Sequence, residues 1–439
     1  MNNKNYFRNK KITILGLGLL GRGVGDAKFL AEQGAELIVT DLKTEEELQE
    51  SIEKLKSFPN IQFVFGEHRL EDFKNRDYIL KAAGVPLNSP YIAEAQNNNI
   101  PIKMSASWFM ELSNVPTVGV TGTRGKTTVT YMLKDILTGA GMNVLLGGNI
   151  RGVSTLALLD DITKDSIGLF ELDSWQCQGL RDSHISPNIA VFTSFMEDHM
   201  TYYAHNSEQY LDDKAQIFLH QKPEDTLILE EGVVGVIEKY KNRIQAHTII
   251  SKEKSLPKNV TLQVLGSHNT RNAACAYNAA KALGVDEDSA VSALNTFTGV
   301  SGRLELVREA SGVKYYNDTT ATTPEATITA LSALGSEKNN IVLIMGGNDK
   351  ELKTEALMSA VQSYTKHVVL LDGTGTQKIK EEMKNVMIYH NNLQSAFDEA
   401  VSVAEPGDIV LLSPAFTSFG LFKNEYDRGD QFVALVKEL

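Results

Sequence analysis

The chain alternates short apolar runs with longer amphipathic stretches. Uninterrupted apolar runs are typical of strands buried on both faces, as in parallel sheets. Strand-like runs lie at 12–18, 35–41, 61–66, 117–122, 166–172, 188–194, 226–231, 340–347, 367–373 and 408–415, and helical stretches include 24–33, 45–57, 126–140, 272–283, 324–334 and 353–363. This alternation predicts an α/β protein with mainly parallel sheets and helices on both faces.

Two changes along the chain divide this pattern into three α/β domains. A first set of strand–helix units ends at IPIKMS and a new set opens with NVPTVGVTG, which predicts a boundary near residue 104. A turn rich in Gly, Ser and Thr follows a helical stretch at FTGVSGRLELV and predicts a second boundary near residue 299. The predicted domains are therefore 1–104, 105–299 and 300–439.

Composition and charge narrow the function classes. The 439 residues carry a formal net charge of −12, which argues against a nucleic-acid-binding surface but leaves room for a local pocket that binds small anions. Two cysteines, Cys177 and Cys275, cannot staple a chain of this size, so we expect both to be reduced and structural.

The apolar segments are too short for membrane spans. None approaches the roughly 18 apolar residues that cross a bilayer. The apolar run that follows KNYFRNKK is broken by glycines and then by Arg22, Asp26 and Lys28, with no small-residue cleavage site between them. We therefore expect a cytoplasmic protein that does not bind a membrane.

The strongest single motif is GVTGTRGKTT at residues 119–128, between an apolar strand and a helical stretch. A glycine turn at a helix N-terminus presents backbone N–H groups and the positive end of the helix dipole to an anion. Lys126 can reach the outer phosphates of a nucleotide and the Thr127 hydroxyl can bind Mg²⁺. The match to a strict phosphate-binding loop is incomplete because Val120 stands at the first glycine position. A tight structural turn, a kinase and a GTPase are the alternatives at this point.

Further blocks appear along the chain in a fixed order. They are FELDSWQ (170–176), FTSFMEDHM (192–200), YLDDKAQIF (210–218), LGSHNTRNAACAYNAA (265–280), SGRLE (301–305), NDTTATTPEAT (317–327) and LLSPAFTSFGLFKNEYDRGDQF (411–432). Together with the glycine loop they resemble the Mur ligase family over essentially the whole chain. The last block resembles the branch that adds glutamate to UDP-N-acetylmuramoyl-L-alanine during synthesis of the peptidoglycan precursor.

The resemblance implies a three-domain fold: a Rossmann-like N-terminal domain that binds the UDP substrate, a central phosphate-loop domain for ATP and Mg²⁺, and a Rossmann-like C-terminal domain that binds the amino acid. It also implies ATP-dependent ligase chemistry through an acyl phosphate. Lys126 would neutralise the β- and γ-phosphates, and Thr127 with Glu171 would hold one Mg²⁺. His199 and Lys214 would serve a second metal, Lys214 as a carbamate that supplies oxygen ligands.

The resemblance assigns further residues to each substrate. The ATP-binding set is Gly122, Thr123, Gly125, Lys126, Thr127, Thr128, Asn269, Arg303, Asp318 and Thr322. The glutamate-binding set is Lys350, Ser418 and Phe419. The UDP-binding set is Leu19, Leu20, Asp41, Gly148 and Asn149.

The N-terminal glycine motif supports a different function when it is considered alone. GLGLLG at 16–21 follows a strand, and Asp41 lies 20 residues beyond Gly21. This spacing is typical of a dinucleotide-binding fold and predicts an NAD-dependent oxidoreductase. The resemblance instead assigns the motif to the UDP part of the ligase substrate.

Several positions depart from the family pattern. They are Arg124 in the glycine loop, Asp173 near the acyl acceptor, Thr201 and Tyr202 after the Asp-His pair, Thr320 where a lysine is usual, and Glu425 beside the glutamate pocket. We expect D-glutamate as the amino acid and a monomer acting on small molecules. An L-glutamate-adding variant and another ligase of the Mur or folylpolyglutamate type remain alternatives.

Overall fold

The computed structural model describes residues 5–335, 339–380 and 389–439. The chain divides into two compact units: Met1–Val260 with Arg271–Leu294, and Thr261–Thr270 with Asn295–Leu439. Three sheets, each flanked by helices, confirm the predicted α/β class. In the part of the chain that the structure describes, no helix is both long enough and apolar enough to cross a membrane.

The first sheet of the first unit is parallel throughout and has the order β3-β2-β1-β4-β5. Its strands are β1 Lys11–Leu15, β2 Glu36–Asp41, β3 Ile61–Phe65, β4 Tyr78–Lys81 and β5 Ile102–Lys103, with helices α1 Arg22–Glu32, α2 Gln49–Glu53, α3 Pro90–Asn97 and α4 Ser105–Leu112. The strand order reverses at β1, where ligands of open α/β sheets bind. The GLGLLG loop leaves the sheet at this point.

The second sheet of this unit is also parallel, with the order β11-β10-β9-β6-β8-β7. Its strands are β6 Thr117–Thr121, β7 Asn143–Gly148, β8 Ser166–Glu171, β9 Ile189–Phe192, β10 Thr226–Glu230 and β11 His247–Ser251. The helices that follow along the chain are α5 Lys126–Gly139, α6 Ser174–Ser183, α7 Ser207–Leu219, α8 Ser267–Ala282 and α9 Glu287–Thr296. The central position of β6 places the GVTGTRGKTT loop at the middle of the carboxyl edge.

The second unit contains a sheet with the order β12-β13-β17-β14-β15-β16, in which β12 pairs antiparallel to β13 and the other pairs are parallel. Its strands are β12 Glu305–Ala310, β13 Val313–Asn317, β14 Ile341–Gly346, β15 Thr365–Leu371, β16 Tyr389–His390 and β17 Ile409–Leu412. Its helices are α10 Pro324–Leu334, α11 Glu355–Tyr364, α12 Thr374–Lys380, α13 Leu393–Val403 and α14 Glu425–Glu438. Apolar clusters on both faces of the sheet form its core.

Strands without an uninterrupted apolar run were missed by the sequence pattern. Strand β4 ends in Lys81, whose Nζ is buried and donates to the backbone oxygens of Ala82, Ala83 and Val85. Strand β12, with the sequence ELVREA, lies at a sheet edge and leaves Leu306 half exposed, so it mixes charged and apolar residues instead of forming an apolar run. Both strands are explained by their surroundings rather than by local hydrophobicity.

A buried carboxylate joins the segments around the first two sheets. Asp26 of α1 accepts hydrogen bonds from Ser154 Oγ at 2.5 Å and from Ser105 Oγ at 2.8 Å, both at Oδ1. Complete burial raises the pKa of Asp26 from 3.8 to about 6, although both hydroxyl donors lower it. The folded state therefore holds a proton on Asp26 more tightly than the unfolded chain does.

We predict that Asp26→Asn stabilises the protein above pH 6. Asparagine keeps an acceptor oxygen for both serines and cannot ionise, whereas ionised Asp26 destabilises the fold progressively as the pH rises from about 4 to about 6. Denaturant unfolding should give a variant that is about 2 kcal/mol more stable at about pH 8, with a smaller advantage at about pH 4.5. The exposed Asp160→Asn is the control. An advantage that did not change with pH would contradict the prediction.

Candidate active site

The glycine loop closes tightly around the end of β6. Gly122 and Gly125 both adopt positive φ angles, 145° and 87°, and Gly125 caps the N-terminus of α5. A Cβ at Gly122 would lie 2.2 Å from Thr193 Oγ1, so only glycine fits there. Thr123 is buried in the loop, and Thr127 and Thr128 lie in the first turn of α5. The structure thus brings the loop part of the predicted ATP-binding set together at a helix N-terminus.

Two lysines converge on one backbone carbonyl in this loop. Lys126 Nζ lies 3.0 Å from the Gly122 oxygen, and Lys214 Nζ from α7 lies 2.8 Å from the same oxygen. Lys214 is 1% exposed and its ammonium lies 4.8 Å from the Tyr210 ring. Burial, followed by the nearby Lys126 charge, lowers the pKa of Lys214 from 10.5 to about 7. Near neutral pH a substantial fraction of Lys214 is therefore an uncharged, nucleophilic amine.

Glu171 ends β8 beside this loop, in register with Val120 of β6 and Gly148 of β7. Its side chain is 3% exposed. Oε1 accepts a hydrogen bond from Asn149 Nδ2 at 3.3 Å, while Oε2 is buried with no hydrogen-bond partner among the described residues. A buried carboxylate oxygen without a donor is costly unless a cation or ligand pairs with it.

The geometry of Glu171 fits a hard cation. Magnesium prefers oxygen ligands and usually keeps several waters and substrate phosphates in its coordination shell. Among the residues that the structure describes there is no cluster of three His, Cys, Asp or Glu side chains able to hold a metal. One buried carboxylate oxygen beside a phosphate-type loop suits Mg²⁺ bound together with the phosphates of a nucleotide.

His199 lies on a turn that other residues hold in place. Its φ of 56° is in the left-handed region, and its ring centroid lies 4.7 Å from that of Trp175. Asp198 accepts the His199 backbone N–H at 2.9 Å and Arg124 Nη1 at 3.0 Å. Arg124, a departure from the family pattern, thus ties the glycine loop to the segment that carries His199.

The GLGLLG loop at residues 16–21, called the UDP-type loop below because the resemblance assigns it to the UDP substrate, is held by Asp41. Its Oδ2 accepts the backbone N–H groups of Leu17 and Gly18 at 2.8 and 3.0 Å, and its Oδ1 accepts that of Lys43 at 3.0 Å. Asp41 is 7% exposed, so its oxygens shape the loop. Asp41 therefore fixes the backbone of the loop, and its binding of the UDP substrate stays a prediction.

The predicted UDP-binding residues on the two sheets of the first unit are connected. The Leu20 backbone oxygen accepts the N–H of Gly152 at 2.9 Å, in the segment that follows Gly148 and Asn149. Leu19 is 49% exposed at the tip of the glycine loop. These contacts bring the predicted set to one edge of the first unit.

In the second unit, the ATP-predicted residue Asp318 lies at the end of β13 and is buried. Ser413 Oγ donates to its Oδ2 at 2.8 Å and the backbone N–H of Leu304, next to Arg303, donates to its Oδ1 at 3.1 Å. Burial raises the pKa of Asp318 to about 7 despite these two donors. Asn269 is also largely buried, in the first turn of α8.

The glutamate-predicted residues lie in two neighbouring segments of this unit. Lys350 Nζ is 3.3 Å from Thr322 Oγ1, which links the predicted glutamate and ATP sets. Ser418 is 3% exposed, and its Oγ is buried with no hydrogen-bond partner among the described residues, whereas Phe419 is 62% exposed. Asn348 was missed by the sequence. Its Nδ2 donates to the Phe419 backbone oxygen at 2.6 Å, and its backbone pairs with Thr417.

Family comparisons agree with this geometry. The MurD-like N-terminal domain of Mur ligases matches residues 10–104, the Mur ligase middle domain matches 120–280, and the Mur ligase glutamate ligase domain matches 302–416. The chain is 36% identical to a UDP-N-acetylmuramoylalanine–D-glutamate ligase of Roseiflexus sp. (strain RS-1), over 98% of both chains. The enzyme of the same name from Borreliella burgdorferi (strain ZS7) is 35% identical, again over 98% of both.

The chain belongs to the Mur ligase family. Solved structures of the family share the fold: MurC of Thermotoga maritima gives a TM-score of 0.63 at 19% identity, covering 98% of this chain and 99% of that one. MurF of Thermotoga maritima in complex with ADP gives 0.62 at 17% identity, covering 98% and 95%. These matches favour the Mur ligase prediction over the oxidoreductase alternative.

The departures from the Mur ligase pattern have local structural roles. Thr320 Oγ1 donates to the Gly302 backbone oxygen at 2.9 Å. The Tyr202 ring packs edge-on against Trp175, with centroids 5.4 Å apart. Glu425 is the first residue of α14, where its charge complements the helix dipole.

Asp173 is the N-cap of α6 and forms a capping box with Gln176. Its Oδ1 accepts the Gln176 N–H at 2.7 Å, and Gln176 Oε1 accepts the Asp173 N–H at 3.2 Å. The carboxylate is therefore used by the helix, and serine, the residue usual in Mur ligases, can form the same cap.

We predict that Asp173→Ala destabilises the protein by about 1 kcal/mol because it leaves a helix N–H without its cap. Asp173→Ser keeps an acceptor oxygen and should stay within about 0.5 kcal/mol of the parent. Denaturant midpoints of the two variants measure the difference. Equal destabilisation by alanine and serine would show that the cap is not the main role of Asp173.

Proposed function

We propose that this Mur ligase adds D-glutamate to UDP-N-acetylmuramoyl-L-alanine with hydrolysis of ATP to ADP and phosphate. The observation that carries the proposal is the convergence of Lys126 and Lys214 on the Gly122 carbonyl, beside Glu171, whose buried Oε2 has no hydrogen-bond partner within the described part of the chain. The Lys126 ammonium and the loop amides, next to a carboxylate suited to a cation and a lysine that can be converted to an oxygen ligand, serve a reaction that brings two anions together. The names of the relatives specify D-glutamate as the amino acid that those enzymes add.

The proposed chemistry has two steps. A carboxylate oxygen of the muramoyl-alanine attacks the γ-phosphorus of ATP, the bond to the β-phosphate oxygen breaks, and ADP leaves. The deprotonated amine of glutamate then attacks the carbonyl carbon of the acyl phosphate. The nitrogen of the tetrahedral intermediate loses one proton to solvent, and the intermediate collapses to an amide as the carbon–oxygen bond to phosphate breaks and inorganic phosphate leaves.

The residues of the first unit have complementary roles in this proposal. Lys126 and the amides of the 122–125 loop hold the phosphates, and the ammonium neutralises charge as it moves to the β-phosphate. Thr127, Glu171, His199 and Lys214 are the proposed residues for Mg²⁺, which supplies Lewis-acid stabilisation of the phosphoryl group when bound. For Lys214 we propose the carbamate form, because the lowered pKa of its amine favours reaction with CO₂.

The remaining predictions complete the proposal. The residues proposed to bind the UDP substrate are Leu19, Leu20, Asp41, Gly148 and Asn149. Asn269, Arg303, Asp318 and Thr322 serve the nucleotide, and Lys350, Ser418 and Phe419 serve glutamate. We further propose the domain division at residues 104 and 299, a cytoplasmic location and a monomer.

Phosphate release from ATP in the presence of UDP-N-acetylmuramoyl-L-alanine tests the function directly, with D- and L-glutamate supplied in separate reactions. We expect release with D-glutamate. Release with L-glutamate alone would keep the chemistry and reverse the stereochemical proposal. A folded protein that binds ATP and releases no phosphate with either enantiomer would contradict the proposed substrate.

We predict that Lys214 carries a carbamate. Protein equilibrated with ¹³C-bicarbonate should show a carbamate carbon resonance, and Lys214→Arg should remove it, because an arginine does not form the adduct. Lys81→Arg is the matched control, since Lys81 is also a buried lysine whose pKa burial lowers, to about 8. Loss of the resonance in the Lys81 variant, or its persistence in the Lys214 variant, would place the adduct elsewhere.

We predict that Ser418→Ala raises the KM for glutamate by roughly 10- to 100-fold, the value of one hydrogen bond to a charged group. Because the Ser418 hydroxyl has no partner among the described residues, its removal should leave the free energy of unfolding unchanged or higher. Steady-state kinetics and denaturant unfolding measure the two effects. The control is Ser363→Ala, whose hydroxyl lies on a helix surface. An unchanged KM, or a strong loss of stability, would contradict the assignment.

A further inference from the structure

A chain of side-chain hydrogen bonds connects the UDP-type loop with Glu171. Arg22 is the first residue of α1, directly after GLGLLG, and its Nη1 donates to Asn149 Oδ1 at 2.7 Å. Asn149 Nδ2 in turn donates to Glu171 Oε1 at 3.3 Å. Arg22 was not among the residues that the sequence singled out for the site.

The hydrogen bonds from Arg22 through Asn149 to Glu171 can run in only one donor-to-acceptor direction. A guanidinium has donors and no acceptor, and a carboxylate has acceptors and no donor. Asn149 must therefore turn its amide oxygen toward Arg22 and its NH₂ group toward Glu171. If Arg22 were absent, the Asn149 oxygen would lose this donor, and the amide rotamer would be held less firmly, by the 3.3 Å bond to Glu171.

The backbone around the chain is fixed independently of these side chains. The Asn149 N–H donates to the Glu171 backbone oxygen at 2.7 Å, and a Cβ at Gly148 would lie 2.1 Å from that same oxygen. What remains adjustable is the amide rotamer of Asn149 and the carboxylate rotamer of Glu171. Arg22 acts on the amide rotamer of Asn149 and, through it, on the carboxylate rotamer of Glu171.

We propose that Arg22 is a positioning residue for Glu171, setting the Asn149 amide so that Oε1 is held and Oε2 is presented to the metal. The proposal rests on the proposed function of Glu171 as a Mg²⁺ ligand. Arg22 also begins the helix that follows the UDP-type loop, so this role would connect the proposed site of the UDP substrate with the proposed Mg²⁺ ligand Glu171. Partners of this kind, bonded to a metal ligand rather than to the metal, typically change metal affinity by about 10- to 100-fold.

Holding the two sheets of the first unit together does not require Arg22. Asp26 already bonds Ser105 and Ser154, and Gln33 Nε2 bonds the Asp160 carboxylate at 3.2 Å. Gln33 is the C-cap residue of the helix that Arg22 begins, and it is half-buried. It therefore supplies a control contact between the same parts of the unit that does not reach Glu171.

The test compares Arg22→Gln, Arg22→Lys and Gln33→Ala in the full chain. Mn²⁺ replaces Mg²⁺, and its binding in the presence of ADP is followed by electron paramagnetic resonance, which does not depend on turnover. We expect Arg22→Gln to weaken Mn²⁺ binding about 10-fold, because glutamine is shorter and its amide can also accept a hydrogen bond. Lysine is a donor only and should retain most of the affinity, and Gln33→Ala should leave it unchanged.

A double-mutant cycle with Asn149→Ala shows whether Arg22 affects Mn²⁺ binding through Asn149 or independently of it. If Arg22 acts through Asn149, the two substitutions together should weaken Mn²⁺ binding no more than Asn149→Ala alone. Additive effects, or Mn²⁺ binding within twofold of the parent in Arg22→Gln, would overturn the proposal. So would a variant in which only the KM for the UDP substrate rises, because Arg22 would then act on the substrate directly.

Failure of this proposal is distinguishable from failure of the proposed function. If the parent protein releases phosphate with the UDP substrate but Arg22→Gln leaves Mn²⁺ binding unchanged, only the positioning proposal fails and the proposed function stands. If Mn²⁺ binding in the presence of ADP depends on Arg22 and Asn149 but the parent protein turns over no muramoyl substrate, the positioning role stands and the substrate assignment fails.

Discussion

The site of the first unit depends on the carbonyl of Gly122, which lies within hydrogen-bonding distance of two ammonium groups. Like charges at this separation raise each other's free energy, and burial of one of them adds a desolvation cost. The lowered pKa of Lys214 records both effects. A polyphosphate in the loop, or conversion of the Lys214 amine to the proposed carbamate, would relieve the repulsion, so the arrangement that is unfavourable in the free protein favours both changes.

The sheet topology explains why so few residues are needed to build this site. The parallel order β9-β6-β8-β7 brings the glycine loop, Glu171 and Gly148 to one carboxyl edge, in register across neighbouring strands. Residues that are distant in the sequence meet there because of strand register rather than local motif. The partly buried hydrogen bonds from Arg22 through Asn149 to Glu171 extend the same edge toward the UDP-type loop.

The sequence predicted the parts of the fold that local hydrophobicity specifies. Apolar runs identified the central strands, and the α/β class followed. The search for apolar runs missed strand β4, which ends in a lysine, and the edge strand β12, which mixes charged and apolar residues. At the site, residue types and motif order predicted Lys126, Glu171 and Lys214, but no local pattern shows that Lys214 meets a carbonyl 92 residues away. The contact of Arg22 with Asn149 spans 127 residues and depends on the packing of two sheets. The sequence marked Asp173 only as a departure from the family pattern, and its role as the N-cap of α6 became visible in the structure.

The most direct measurement for the central claim follows oxygen from the substrate carboxylate. UDP-N-acetylmuramoyl-L-alanine labelled with ¹⁸O in both carboxylate oxygens is converted with ATP and D-glutamate, and the released phosphate is analysed by mass spectrometry or ³¹P resonance. Acyl phosphate chemistry transfers one labelled oxygen to each phosphate and leaves one in the new amide. Unlabelled phosphate would show that ATP is hydrolysed by water and that the carboxylate is never phosphorylated, which would contradict the ligase mechanism assigned to Lys126, Glu171 and Lys214.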